Sequence, residues 1–406
     1  MMFIFISIYG IVDGLFVSNF VGKTSFAALN LIMPLLMIIG ALGFMLSTGG
    51  SAIIAKTLGE GKKDLAQKYF SMLVFVTFIG GMFFMILGQV FLRDVAILLG
   101  AKGNMLTECI KYGEICLCSM PFFMLQSLFQ ELFITAEKPK LGLMLTLLSG
   151  CTNMVLDALF IVGFEWGIQG AAAATALSET MGGIIPIIYF VRKNDSLLRI
   201  RKTRIYWHIL GKACTNGCSE FIGSISSSIV TVFFNIQLLR LAGENGVAAY
   251  GVLMYVSMIF IGIFFGYTMG VAPIISFNYG AQNHRELQNL FKKSEFLMIT
   301  IGAAMTVTGL VFARPLAMIF VSYDQDLLNM AASALRIYSV SFLLSGFNIF
   351  GSSLFTALNN GVISAVISFM RTLVFECGSV LILPIFFGLK GVWCSVIVAE
   401  LAALTI

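Results

Sequence analysis

The sequence predicts an all-α polytopic membrane protein of twelve transmembrane helices in two six-helix lobes. Three observations carry that prediction. Of the 406 residues, 59% are hydrophobic and 11% are charged, and the charged share is about half that of a soluble globular protein. Apolar runs of membrane-spanning length recur from one end of the chain to the other. The second half of the chain also repeats the first.

The apolar runs cover 1–22, 27–57, 69–92, 112–135, 140–163, 168–192, 212–242, 247–278, 287–313, 331–357, 361–387 and 391–406. A helix needs roughly 20 residues to cross the hydrocarbon, so the longer runs are expected to tilt or extend past it. The first run has no basic leading region and no small-residue cleavage site, so it reads as a span rather than a signal peptide. The chain begins inside that run and stops inside the twelfth at Ile406, as a truncated reading frame would, so the last helix is expected to be cut short.

Basic residues orient the spans. Of the 25 Lys and Arg, sixteen fall in the connections after runs 2, 4, 6 and 8. That bias puts the even-numbered connections and both termini on the cytoplasmic side. The net charge of +5 reflects this distribution and implies no nucleic-acid partner. The longest polar connection, "RKNDSLLRIRKTRIYWH" from Arg192 to His208, divides the runs six and six. It reads as a linker (193–211) between an N-terminal lobe (1–192) and a C-terminal lobe (212–406).

A shift of 221 residues superimposes the halves. Gly22 and Ala27 fall on Gly243 and Ala248, Gly49 and Ile53 on Gly270 and Ile274, and Gly167, Gly170 and Glu179 on Gly388, Gly391 and Glu400. About a quarter of the first hundred positions coincide, against roughly 8% from composition, which is the signature of an internal repeat. Six spans per half is an even number, so the halves enter the membrane in the same sense and form a parallel repeat. Transporters bind substrate between such halves and work by alternating access.

Buried polar residues are the candidates for chemistry. Asp13 sits inside the first run, with Tyr9 four residues before it. Asn153 and Asp157 are also four apart, so each pair shares one helix face. Thr175 follows in the sixth run among small residues that let helices approach. Counted from the run ends at roughly 1.5 Å per residue, Asp13, Asp157 and Thr175 share the outer half of the N-terminal lobe. Two carboxylates at one depth repel when both are ionised, and a proton or a small hard cation relieves that repulsion. Intramembrane carboxylates are functional by default. The shift carries Asp13 onto Phe234 and Asp157 onto Gly378, so this charge pair belongs to the first half alone.

Other acids read differently. Glu131 and Glu220 lie near cytoplasmic ends. Glu179 and Glu400 are repeat-related, which favours a structural role. Arg371 and Glu376 are five apart, an imperfect spacing for a pair on one α-helix. Glu220 and Glu376 remain candidates for attracting a cationic substrate. Eight Cys and two His are a poor ligand supply for a metal centre, and buried cysteines act as small hydrophobes.

The stretches "VDGLFVSNFVG", "AALNLIMPLL", "STGGSAIIAKTLGEGKKDLA", "NMVLDALFIVGFEWGIQGAAAATALSE", "GVAAYGVLMY" and "GVAPIISFNYGAQN" resemble those of the multidrug and toxic compound extrusion (MATE) family. The chain is most similar to bacterial branches with an N-lobe carboxylate site. The resemblance covers nearly the whole chain. It implies cation-coupled efflux of organic cations and drugs, with Asp13 as the coupling residue. It also implies that Tyr9, Asn153, Asp157 and Thr175 complete a site for H⁺ or Na⁺, the sodium ligands being Asp13, Asp157, Asn153 and Thr175. A polar residue of helix 4 joins the family's site, and Ser127, beside Gln126, is the nearest match. Some branches carry an acid in helix 10, where this chain has Asn348. Ser127, Gln126, Asn348, Glu220 and Glu376 are therefore the candidates for the substrate cavity.

The expected protein is a monomeric antiporter of a bacterial plasma membrane that uses H⁺ or Na⁺ and no cofactor. A flippase for lipid-linked precursors is the alternative within transport. It would want several buried Arg or Lys for phosphate, and Arg371 alone qualifies. A membrane-embedded transferase would want a catalytic His or an acid cluster at one membrane face, and neither is evident.

Overall fold

A computed structural model describes Phe5, Val12, Asp13, residues 16–321 and residues 324–406, and the described residues are helical with short connections. A π-helical turn, α1 (Val17–Val21), follows Asp13. After it come α2 (Lys23–Gly59), α3 (Lys63–Leu98) and α4 (Gly103–Thr135). Helix α5 (Pro139–Asp157) runs on as a π-helical turn, Ala158–Gly163, and α6 is Ile168–Val191. Beyond the connection lie α7 (Trp207–Gly243), α8 (Asn245–Gly280) and α9 (His284–Val311). A short helix, Ala313–Met318, leads to α10, whose two pieces, Gln325–Ser339 and Phe342–Ala357, meet at 52°. The stretch Gly361–Ala403 breaks at Gly388 into α11 (361–387) and α12 (389–403). Nine of these stretches are individually long and apolar enough to cross a membrane, and the bent α10 pair makes ten. The Gly388 break divides the last stretch in two. The first predicted run, 1–22, lies mostly outside the described residues.

The repeat is visible in backbone conformation. Gly22 and Gly243, 221 residues apart, both have positive φ, at 120° and 61°. Gly167 and Gly388, at the same separation, have 60° and 56°. The chain therefore turns at the same two places in each half, in a conformation that a side chain resists. At a third pair the half-turn keeps its conformation and loses its glycine: Gly61 has φ 77° and its counterpart Gln282 has φ 57°.

The chain divides into two compact units, Met1–Gly217 and Cys218–Ile406. In the first, α4 is the most enclosed span and packs against α2, α3 and α6. Glycines on its neighbours let it in. A Cβ on Gly81 of α3 would strike the Pro121 backbone, and one on Gly183 of α6 would strike Phe122. Below this crossing Phe70, Phe129 and Phe190 stack with ring centroids 4.9–6.4 Å apart. In the second unit Phe234 stacks on Tyr250 at 4.8 Å, and Trp393 and Leu335 fill the core. No disulfide joins the eight cysteines.

The connection 192–206 has no helix, yet it is held down as a strap on α3. Gln67 Nε2 donates to Leu197 C=O, Arg201 N–H to Ser71 Oγ, and Thr203 Oγ1 to Lys68 C=O. Leu198 is fully buried, Tyr206 packs edge-on to Tyr69, and Arg201 pairs with Asp64 at 3.0 Å. The strap therefore belongs to the first unit, and the division between units falls eleven residues into α7 (at 217/218).

Candidate functional site

Asp157 stands where α5 stops being an ordinary α-helix. It is the last α-helical residue before the π-helical turn Ala158–Gly163. Such turns hold one extra residue and are common at functional sites. Asp13 in turn precedes the π-helical turn α1. The two carboxyl groups are close enough in space to interact electrostatically. Asp157 is 0% exposed and Asp13 is 7% exposed. Asp13 Oδ1 and both Asp157 oxygens are buried and receive no hydrogen bond among the described residues. Carboxylates accept and cannot donate, so a bond between them requires a proton, or a cation shared by both.

The helix turn before Asp157 carries Asn153. Its Nδ2 donates to Thr175 Oγ1 of α6 at 3.4 Å, and its Oδ1 is buried without a donor. Asp13, Asp157, Asn153 and Thr175 thus gather in one place, as their spacing and depth predict. They offer hard oxygen donors with unsatisfied lone pairs, a chemistry that suits a proton or a small hard cation. Among the described residues, no three His, Cys, Asp or Glu side chains converge as a metal-ligand group. Tyr9, the fifth member predicted, lies outside the described residues.

One turn beyond Thr175, Glu179 accepts a 2.6 Å hydrogen bond from Ser119 Oγ of α4. Glu179 and the buried Tyr112 are electrostatic neighbours of Asp13. Glu179 therefore borders the site, although its repeat relationship to Glu400 favours a structural role. The four-residue spacing from Thr175, one turn on one face, is the signal for it. The α4 residues at this place are Ser119 and Tyr112. Ser127 donates to Phe123 C=O at 3.0 Å, and its own carbonyl accepts from Ser47. Gln126 Nε2 lies 3.3 Å from Ser149 Oγ.

The remaining candidates lie in the second unit. Arg371 makes a bidentate ion pair, but with Glu400 of α12 rather than with Glu376: Nε to Oε2 is 3.1 Å and Nη2 to Oε1 is 2.6 Å. Ser345 Oγ and Asn348 Nδ2 of α10 donate to the same carboxylate. Asn348 therefore sits in a closed network with Glu400. Arg371 and Glu376 both lie on a third π-helical stretch, Phe369–Glu376, whose i→i+5 pattern brings residues five apart toward one face. Glu376 is half-buried beside the ion pair, and Glu220 is half-buried on α7.

Comparison with known proteins agrees with this geometry. The MatE family profile matches twice, over residues 1–159 and 220–378, once per half. The multidrug export protein MepA of Staphylococcus saprophyticus is 27% identical over 405 residues, covering 97% of this chain and 86% of its own. MepA of Staphylococcus aureus (strain MSSA476) is 25% identical over 401 residues, with the same two shares. Among solved structures, an outward-facing multidrug resistance MATE family transporter of the MOP superfamily superimposes with a TM-score of 0.94 at 26% identity, covering 100% of this chain and 91% of that one. A crystal structure of MATE in complex with MaL6 gives 0.94 at 25% identity, covering 100% and 92%. Two family matches spanning most of the chain, on an all-helical fold with the same repeat, place the chain in the MatE family of membrane transporters, which are not enzymes.

Proposed function

We propose that the protein is a cation-coupled antiporter that exports organic cations and drugs by alternating access, using H⁺ or Na⁺. The observation that carries this reading is the pair Asp13 and Asp157, buried and close in space, with Asp13 Oδ1 and both Asp157 oxygens lacking a donor among the described residues. With both carboxylates ionised the pair repels. With a proton or Na⁺ between them it attracts, and the segment carrying Asp13 is drawn toward α5. A ligand shifts a conformational equilibrium by its differential affinity for the two states. Loading this site therefore favours one packing of the N-terminal unit and unloading favours the other. Asn153 Oδ1 and Thr175 Oγ1 supply neutral oxygens to the same cation. Drug export is the printed function of the MepA relatives, and a cationic drug suits a unit whose buried acids outnumber its buried bases.

The flippase alternative needs basic groups available to phosphate, but Arg371 is engaged by Glu400. The basic connections orient the protein with both termini in the cytoplasm of a bacterium. The test is transport of a cationic dye in everted vesicles under ΔpH and ΔNa⁺ imposed separately. One of the two gradients is expected to drive flux, and Asp13→Asn is expected to abolish it. Undiminished gradient-driven flux in Asp13→Asn overturns the mechanism, and flux indifferent to both gradients returns the flippase.

A further inference from the structure

The strap on α3 leaves a cleft of about 370 Å³, lined by Met72 and Phe75 of α3 and by Ile200, Arg201, Arg204 and Ile205 of the strap. Its two ends differ in chemistry. At one end Phe75, 54% exposed, opens an apolar stripe that continues through exposed Ile79 and Phe83 along the outward face of α3. At the other end Arg201 and Arg204 are exposed, with exposed Lys202 between them in sequence and exposed Lys68 held against the strap by the Thr203 hydrogen bond to its carbonyl. Phe75 lies seven residues along α3 from Lys68, roughly 10 Å at 1.5 Å per residue. That separation suits one molecule with a charged head and an apolar tail.

The head it suits is an anion. Arg201 pairs with Asp64 through Nη1 alone. Arg204 lies over the Tyr206 ring at 5.0 Å, and no acid pairs with it among the described residues. Among the described residues, Asp64 is thus the one carboxylate that forms an ion pair with either guanidinium group. Guanidinium is the side chain best matched to phosphate, which it binds through two parallel hydrogen bonds. Trp207, the first residue of α7, is 73% exposed next to the strap. Exposed indoles are characteristic of the membrane–water interface. Basic pockets beside transmembrane helices are the usual seats of acidic lipid headgroups.

We propose that this cleft is a binding site for an anionic phospholipid, its phosphate held by Arg201 and Arg204 and its acyl chains laid along Phe75, Ile79 and Phe83. The bound lipid bridges the strap and α3, so the connection between the two halves of the chain is held in place in part by the membrane's own composition. A zwitterionic choline headgroup carries a second charge of the wrong sign for this end of the cleft.

The test is native mass spectrometry of the full chain in detergent, titrated with phosphatidylglycerol or with phosphatidylcholine of identical acyl chains. Phosphatidylglycerol is expected to remain bound at about fivefold lower lipid concentration. The preference is expected to vanish in Arg201→Gln/Arg204→Gln and to persist or grow in Asp64→Asn, which removes the competing carboxylate and keeps both guanidinium groups. Arg204→Gln alone leaves the Arg201–Asp64 pair intact, so it reports on the site even where the double variant is unstable, and it is expected to weaken the preference. Equal retention of the two lipids by the unaltered chain overturns the proposal. So does a preference that survives both arginine variants. Displacement of the lipid by glycerol phosphate at equal concentration assigns the cleft to a free phosphate and overturns it as well.

Discussion

An aspartate with no donor in a protein interior is stable when something positive accompanies it. Asp157 is in that position with both of its oxygens, and Asp13 with one. Each single substitution, Asp13→Asn or Asp157→Asn, is expected to reduce gradient-driven dye flux at least tenfold in everted vesicles. The double variant is expected to be no worse than either single one, because residues that act as one unit are not additive. Arg371 is the opposite case, a half-buried charge already neutralised by the buried Glu400. Removing one partner of a buried pair costs about 3–5 kcal/mol, while replacing both with apolar groups of similar volume is close to neutral. Arg371→Met is therefore expected to lower the melting temperature in detergent sharply, and Arg371→Met/Glu400→Leu to restore much of it. The site's core was legible at this scale: Asp13 stood out as an acid in an apolar run, and the four-residue step from Asn153 to Asp157 placed both on one face. Glu179 and Ser119 were not, since their meeting depends on where α4 crosses α6.

Helices carry these residues, and three of them depart from α geometry at chemically important points. The π-helical turns Val17–Val21, Ala158–Gly163 and Phe369–Glu376 adjoin Asp13, Asp157 and the Arg371–Glu376 step, respectively. Sequence periodicity assumes about 100° per residue, which sets residues five apart about 140° from each other. A π-helical turn annuls that arithmetic. It leaves little mark in composition, because it is stabilised by what packs around it. The glycine turns are the reverse case, visible in the sequence through the repeat. Gly388 has φ 56° and open space where a Cβ would sit. The penalty for Gly388→Ala is therefore conformational alone, about 1 kcal/mol, measured as a modest drop in melting temperature. Gly81→Ala would instead press on the Pro121 backbone and is expected to cost more by the same measure.

Across the whole molecule, one repeated frame carries two different electrostatic arrangements. Glu179 and Glu400 are repeat-related. The first is an electrostatic neighbour of Asp13, and the second is bound by an arginine. Asp13 has Phe234 as its counterpart, fully enclosed against Tyr250. Phe234→Asp therefore does not recreate the aspartate pair in the second half. It buries an unpaired carboxylate in an aromatic stack and is expected to destabilise by more than about 4 kcal/mol, read as loss of monodisperse protein in detergent. The repeat supplies a shared scaffold, and the buried aspartate pair belongs to the first half alone.

Composition and periodicity determined by themselves that the chain crosses a membrane many times, that it does so as a parallel repeat, and that Asp13, Asn153, Asp157 and Thr175 are its unusual residues. Those properties follow from how many apolar residues lie in a row and from the angle between successive side chains, both of which are local. Tertiary structure alone decided that Asp13 reaches Asp157, that Glu179 stands beside them with Ser119, that Arg371 turns to Glu400 rather than Glu376, and that the basic connection is a strap lying on α3. Each of these depends on a crossing between helices distant in the chain or on a π-helical turn. Crossings are set by where glycines permit close approach and by how side chains interlock, and no local pattern records them.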